Sequence, residues 1–334
     1  MSALRIGLVG AGWVTQYHLR AWRKLAGRAE VVAIADPSAE RRNERAAEFD
    51  IPRTYAGAQE MLAGEALDAV DIAAPRAFHA ELVRLAAERG LPVICQKPLA
   101  PTFAEAEALV AEVGDRIRLM VHENWRFRAW YRTTAEWIDI GRIGRPFAAR
   151  LSFVTSGTLA DDHGRYPALE RQPFIAAERR MLVSEILIHQ LDTLRRLLGP
   201  LRVVACSMNR VCAAMAGEDT AIIQLEGRGG LAVQIFATFA AHGQPAVAAD
   251  RLDIFGSGGA IGFAGDTLSL VAAEPQELRF DMDATYQGSY DAAIAHFIDR
   301  LDDGQPFETG PRDNLETLFL VEECYRLAGR LETH

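Results

Sequence analysis

Up to about residue 123 the apolar residues fall into short uninterrupted runs separated by amphipathic stretches. After that point they alternate with polar residues between glycine-rich turns. Runs at 6–9, 31–35, 67–74, 93–95 and 117–122 predict buried strands, with a further short segment near Thr54. Between them His18, Leu19, Trp22 and Leu25 recur at a helical period. Stretches 38–49, 59–62, 80–89 and 102–113 read as further helices, the last opened by a Thr102/Glu105 capping box. Strand and helix in strict alternation imply a parallel sheet with helices on both faces.

The second part begins with a helix over 125–140, rich in aromatic residues and arginine. Runs at 147–155, 202–208, 221–226, 231–239 and 251–255 follow as strands; Val233, Ile235, Ala237 and Phe239 put apolar groups on one face. Gly227, Gly229, Gly230 and the 256–259 turn separate them, so an antiparallel or mixed sheet is expected. One long helix over 181–198 interrupts the strands, and helices over 290–301 and 313–327 close the chain. With no repeat, low-complexity tract or Pro/Ser linker, the expected organisation is α/β. A Rossmann dinucleotide-binding domain over 1–123 is joined directly to an α+β domain over 124–334 with an open, mostly antiparallel sheet.

At 334 residues the chain has room for two ordinary domains. A formal charge of −9, with no basic run interleaved with aromatics, argues against nucleic acid as a partner. No apolar run reaches membrane-spanning length, and the first strand begins too early to leave room for a signal peptide. Cys95, Cys206, Cys212 and Cys324 show neither CxxC nor metal-ligand spacing, which suits a reduced cytoplasm and no metal.

The chemistry concentrates first on Ile6 to Asp36. Gly10 permits a tight turn out of the strand, Gly12 lets backbone approach a pyrophosphate, and the amides of Trp13 and Val14 face that anion. Asp36, at the end of the second strand, is placed for a ribose diol; its carboxylate would repel a 2′-phosphate, so NAD is expected over NADP. The third small position of the turn is Thr15, which asks for a slightly wider helix–strand contact. Arg41 and Arg42 are read as a solvated helix face.

Ligands of such sheets bind at the carboxyl ends of strands, where Ala74, Pro75, His79, Gln96, Lys97, His122, Asn124 and Trp125 lie. Lys97 suits a hydroxyl that must be oriented while a hydride leaves its carbon. In the 181–198 helix, Glu185, His189 and Asp192 share one face, and His189 suits a proton acceptor near neutral pH. A metal held by His122, Glu185 and His189 lacks any HExxH-type spacing, and none is expected.

Together, Gly10-Ala-Gly12, Gln96-Lys97-Pro98, Glu123-Asn124-Trp125-Arg126-Phe127 and Glu185-xxx-His189-xx-Asp192 resemble the glucose–fructose oxidoreductase, inositol dehydrogenase and rhizopine-catabolism family, Gfo/Idh/MocA. The resemblance implies a Rossmann domain and an α/β domain whose open sheet often makes the oligomer interface, hence a dimer or tetramer. It also implies Lys97 and His189 at the reacting carbon. Two positions depart from the family pattern: Gln96 replaces the usual glutamate and Glu185 the usual aspartate. The 96–101 run with 124–127 is similar to the D-apiose dehydrogenase branch, which implies an aldopentose oxidised at its anomeric carbon to the lactone.

The residues between the first strand of the second domain and the 181–198 helix are expected to line the substrate pocket. They carry Asp161, Asp162, His163, Arg165, Tyr166, Arg171 and Gln172, with Trp125, Arg126 and Arg128 approaching from the junction. Such a lining suits a polyhydroxylated ring; Arg165 or Arg171 would instead favour a sugar acid. The competing readings are an inositol or other polyol or sugar-acid dehydrogenase, a glycosidase or lyase that regenerates its NAD each turnover, and a dinucleotide sensor without turnover.

Overall fold

The computed structural model describes residues 3–247 and 250–330, which form two compact units. The first contains the chain up to Arg128 together with Asp283–Leu318. Its strands are β1 (Leu4–Val9), β2 (Ala29–Ala35), β3 (Arg53–Tyr55), β4 (Ala69–Ile72), β5 (Val93–Gln96) and β6 (Leu119–His122). They pair in parallel in the order β3-β2-β1-β4-β5-β6. The connecting helices are α1 (Thr15–Lys24), α2 (Ala39–Phe49), α3 (Ala58–Gly64), α4 (His79–Ala87) and α5 (Phe103–Val113). Thr102 and Glu105 make the expected capping box at α5. The strand order reverses at the β1–β4 pair, where a doubly wound sheet opens its ligand crevice.

The core of this unit packs Ile6, Leu8, Leu19, Trp22, Ile34, Ile94 and Met120 against Tyr290, Ile294, Phe297 and Ile298 of α9 (Met282–Asp303). Burying each such side chain stabilises by roughly 1.5–3 kcal/mol, so the chain returns to the first unit after building the second. A division into consecutive stretches at residue 123 does not register this return, nor the compact division at Arg128. The free edge of β6 is closed by Thr309. Val121 N–H donates to the Thr309 carbonyl at 2.9 Å, and the Thr309 hydroxyl donates back to the Val121 carbonyl at 2.6 Å.

The second unit holds α6 (Ala129–Asp139), β7 (Pro146–Val154), α7 (Pro167–Arg171), α8 (Ile188–Leu198), β8 (Leu201–Asn209), β9 (Thr220–Gly227) and β10 (Leu231–Thr238). After these come β11 (Arg251–Gly256), β12 (Gly259–Ala264), β13 (Thr267–Val271) and β14 (Gln276–Arg279). Eight strands form one sheet, β14-β13-β12-β11-β7-β10-β9-β8, in which the β7–β10 pair is parallel and the other pairs antiparallel. The last helix, α10 (Pro311–Leu327), belongs to this unit from Phe319 onward.

Several elements differ from expectation. The strands β12 to β14 were not anticipated because small or polar residues, such as Gly259-Ala-Ile-Gly262 and Gln276-Glu-Leu-Arg279, blur the two-residue period. The 125–140 helix is broken into a 3-10 turn, Asn124–Phe127, and α6, because Glu123 caps the turn by accepting from Trp125 N–H. The 181–198 helix opens as a π-helix, Leu182–Leu187, before α8 begins.

Candidate functional site

In the first unit, Gly10 adopts φ 107°, a region L side chains avoid, and a Cβ there would lie 2.5 Å from the Ala73 carbonyl oxygen. A Cβ on Gly12 would meet nothing within 4 Å, so the protein leaves room there for a ligand to approach the backbone. Helix α1 starts with no side-chain cap, with the Thr15 hydroxyl turned back onto the Gly12 carbonyl at 2.7 Å. Thr15 is fully buried, so the departure at the third small position is absorbed by this hydrogen bond. Trp13 is exposed beside the turn, and Val14 precedes the first helical residue.

Asp36 closes the turn: its Oδ2 accepts from Ala11 N–H at 2.9 Å and its Oδ1 from Ser38 N–H at 2.8 Å. Arg41 is solvent-exposed as expected and Arg42 half-buried, and both are tied to Asp36. Arg41 pairs with Asp36 Oδ1 at 3.2 Å, and Arg42 donates to the Asp36 carbonyl at 3.1 Å. The short loop after Asp36 brings both guanidinium groups back to it. These residues fit the adenosine end of NAD: a backbone cradle, an uncapped helix start and an acid at the ribose position.

At the carboxyl ends of β4 and β5, His79 bridges the carbonyls of Ala74 and Pro98, each at 2.8 Å, across Pro75 and the α4 start. Gln96 is buried and Lys97 half-buried; the Lys97–Pro98 peptide is cis. After β6, Glu123 is fully buried and its Oε1 accepts from Trp125 N–H at 3.2 Å. Burial pushes its carboxyl up to about 7, against the pull of Lys97, the Trp125 N–H, Arg126 and Arg128. Asn124 donates to Ser289 of α9 at 2.8 Å, and Arg128 lies 3.4 Å from the Trp125 ring centroid.

Arg126, expected among substrate ligands, is directed elsewhere. It is buried, pairs with Asp313 at 2.5 Å and donates to the Glu308 carbonyl at 3.1 Å. The partners come from a segment nearly two hundred residues later, which nothing in the local motif reveals.

Several residues of this region were not singled out as site residues in the sequence. Asp71 in β4 accepts from His18 Nδ1 and Trp22 Nε1, each at 2.8 Å, and Gln96 contacts both His18 and His122. Tyr17, Tyr286 and Tyr290 form an aromatic group with ring centroids 5.0 to 5.5 Å apart. An acid inside an apolar strand was the available signal for Asp71; α9 gave none, because its tyrosines lie far along the chain.

In the second unit, Glu185, His189 and Asp192 are all buried, with Glu185 inside the π-helix and His189 in the first turn of α8. A widened turn breaks the uniform helical face expected for the three, and π-turns recur at functional sites. Its start is built by Glu218. The Glu218 carboxylate accepts from Val183 N–H at 3.1 Å and from the Tyr325 hydroxyl at 2.5 Å, and its carbonyl accepts from Leu182 N–H at 3.3 Å. The following turn is fixed through Gln190, which donates to Asp250 at 2.8 Å.

The 156–174 segment is tied down more than a free loop would be. Asp161 accepts from the backbone N–H of His163 and Arg165 and pairs with the Arg165 guanidinium at 2.9 Å. The Arg165 backbone N–H, and then its guanidinium and the His163 N–H, hold the half-buried Asp161 carboxyl down at about 2. Tyr166 precedes α7 and Gln172 follows it, both half-buried; Asp162 and Arg171 are exposed.

Sheet order, glycine turn and the acid at the end of β2 define a Rossmann dinucleotide-binding unit. The oxidoreductase family with an NAD-binding Rossmann fold, Gfo/Idh/MocA, matches residues 4–122, and its C-terminal domain matches residues 131–262. The chain belongs to this family. It is 34% identical to a D-apiose dehydrogenase of Paraburkholderia graminis over 95% of this chain and 86% of that protein. It is 32% identical to a D-apiose dehydrogenase of Rhizobium rhizogenes over 100% and 97%. Among solved structures it matches an oxidoreductase from Agrobacterium radiobacter, in complex with NAD+, L-tartaric acid and magnesium. That match has TM-score 0.90 and 30% identity, over 98% of this chain and 97% of that one.

Proposed function

We propose that this NAD-dependent oxidoreductase oxidises the anomeric hydroxyl of an aldopentose, D-apiose first among them, to the lactone. The observation that carries the reading is similarity to two D-apiose dehydrogenases across nearly the whole chain. When bound, NAD supplies the ring that accepts a hydride from the substrate carbon. His189 takes the hydroxyl proton, with Glu185 balancing the imidazolium that results. Lys97 donates to the hydroxyl oxygen and holds it, so that Lys97 and His189 act on the same carbon. Trp125, Tyr166 and Gln172 supply stacking and hydrogen bonds to a neutral sugar. The Asp161–Arg165 pair favours that over a sugar acid, whose carboxylate would have to displace Asp161. Accumulation of NADH over many turnovers tests the reading, since a glycosidase or lyase that recycles its cofactor releases none and a sensor turns nothing over.

Cofactor preference rests on Asp36. Asp36→Ser is expected to raise KM for NAD by on the order of tenfold, the scale of one or two charge-assisted hydrogen bonds, and to narrow the NAD-to-NADP gap. Arg41 would then be free to meet a 2′-phosphate. Initial rates with both cofactors check this; a wild type that already prefers NADP contradicts it.

The second unit's sheet is the surface proposed to join copies of the chain into a dimer or tetramer. Along β9 and β10, Ala221, Ile223, Val233 and Ile235 are buried while the alternate Ile222, Gln224, Gln234 and Phe236 are exposed. Ile222 and Phe236 are paired neighbours across that exposed face. Phe236→Arg should shift the sedimentation coefficient toward that of a monomer; an unchanged value, or a monomeric wild type, removes this assignment.

A further inference from the structure

The amide of Gln96 can be oriented without ambiguity, because a backbone N–H only donates. Lys97 N–H lies 3.1 Å from one side-chain atom of Gln96, which is therefore the oxygen Oε1. The opposite atom is then the NH2 group, 2.9 Å from His18 Nε2 and 3.2 Å from His122 Nδ1. Two N–H groups pointing at two ring nitrogens require both nitrogens to be acceptors. His18 must carry its proton on Nδ1, where Asp71 accepts it at 2.8 Å, and His122 must carry its proton on Nε2. Both imidazoles are thus neutral, which also suits two fully buried rings stacked with centroids 4.3 Å apart.

We infer that Gln96, His18 and His122, anchored on Asp71, form a hydrogen-bonded set of fixed tautomers that positions Lys97. The amide at residue 96 is what keeps both imidazoles neutral. Glutamate at this position, the usual residue in the Gfo/Idh/MocA pattern, would accept where Gln96 donates. His18, already donating to Asp71, would have to become an imidazolium to donate a second time. The set is faced by Asp71 and Cys95 from the sheet, Glu123 directly after His122, Lys97 beyond β5, Trp22 from α1 and Tyr290 from α9; Asp71 is the carboxylate hydrogen-bonded to it, while burial pushes the Glu123 carboxyl up to about 7. Gln96, His18 and His122 are positioning residues; the claim rests on the proposed role of Lys97.

The test combines nitrogen-15 NMR of histidine-labelled protein with kinetics of Gln96→Glu. In the wild type, His18 should show the Nδ1–H tautomer and His122 the Nε2–H tautomer, both neutral at pH 7; assignment uses single-histidine variants. Gln96→Glu should turn at least one of the two into an imidazolium. It should also lower kcat by about tenfold or more, with KM for NAD changed less than about threefold and a titration in the kcat–pH profile that the wild type lacks. A wild-type His18 that is already imidazolium or Nε2–H overturns the inference, even if the variant fails to fold. So does a Gln96→Glu enzyme with wild-type kcat and pH profile. Lys97→Ala measured alongside separates the claims. Unchanged turnover there removes the catalytic reading of Lys97, whereas unchanged turnover in Gln96→Glu alone removes only the positioning role.

Discussion

Lys97→Ala and His189→Ala are each expected to lower kcat by on the order of 10² or more, the scale of a positioned acid–base group. NAD binding should be largely kept in both. Lys97 follows β5 on a backbone held by the Gln96 side chain, so its side chain starts from a fixed point at the strand end. His189 is likewise constrained: it follows a π-turn whose first N–H groups are held by Glu218, and its neighbour Gln190 is tied to Asp250. Removing a rigidly placed group forfeits both its proton chemistry and the orientation it imposes. NAD titration by fluorescence, beside steady-state turnover, distinguishes loss of chemistry from loss of binding. Near-normal turnover in both variants would reduce the two residues to parts of the scaffold.

Glu123→Gln is expected to make the protein more stable at pH 8 than the wild type, while leaving stability at pH 4 nearly unchanged. Burial raises the Glu123 carboxyl from 4.5 to about 7 in the folded chain. Between those values the folded state holds a proton that the unfolded chain has released, so wild-type stability falls as pH rises through that window. The difference of about 2.5 pH units corresponds to about 3 kcal/mol above pH 7. Glutamine keeps an oxygen for the Trp125 N–H but carries no charge to bury. Denaturant unfolding of both proteins at pH 4 and pH 8 reads the effect; equal stability of the two at pH 8 contradicts it.

The βαβ unit from Ile6 to Asp36 was readable because its determinants are local: an apolar run, two glycines with distinct demands, a helical period and an acid at the strand end. The same holds for the Thr102 capping box and for the alternation of β9 and β10. What could not be read was imposed from a distance. Glu218 and Tyr325 build the π-turn around Glu185 from positions outside the 181–198 pattern, and a widened turn has no signature in apolar spacing. Arg126 looked like a ligand until Asp313 and Glu308 claimed it. The network under Lys97 was half visible: His18 lies on the apolar face of α1 and Asp71 interrupts an apolar strand, but their pairing requires the order β1-β4-β5. Thr15 was visible as a departure, and only the fold shows its hydroxyl on Gly12.

The most direct test of the function is a comparison of kcat/KM with NAD for D-apiose, other aldopentoses, myo-inositol and a 2-hydroxy acid, with the product identified by NMR. D-apiose should be used best, by about tenfold or more over myo-inositol and the hydroxy acid. That is the discrimination expected from one to three kcal/mol of pocket contacts. The product should be the lactone, with one NADH formed per sugar consumed. Turnover confined to inositols, or sugar consumed without NADH, would contradict the account.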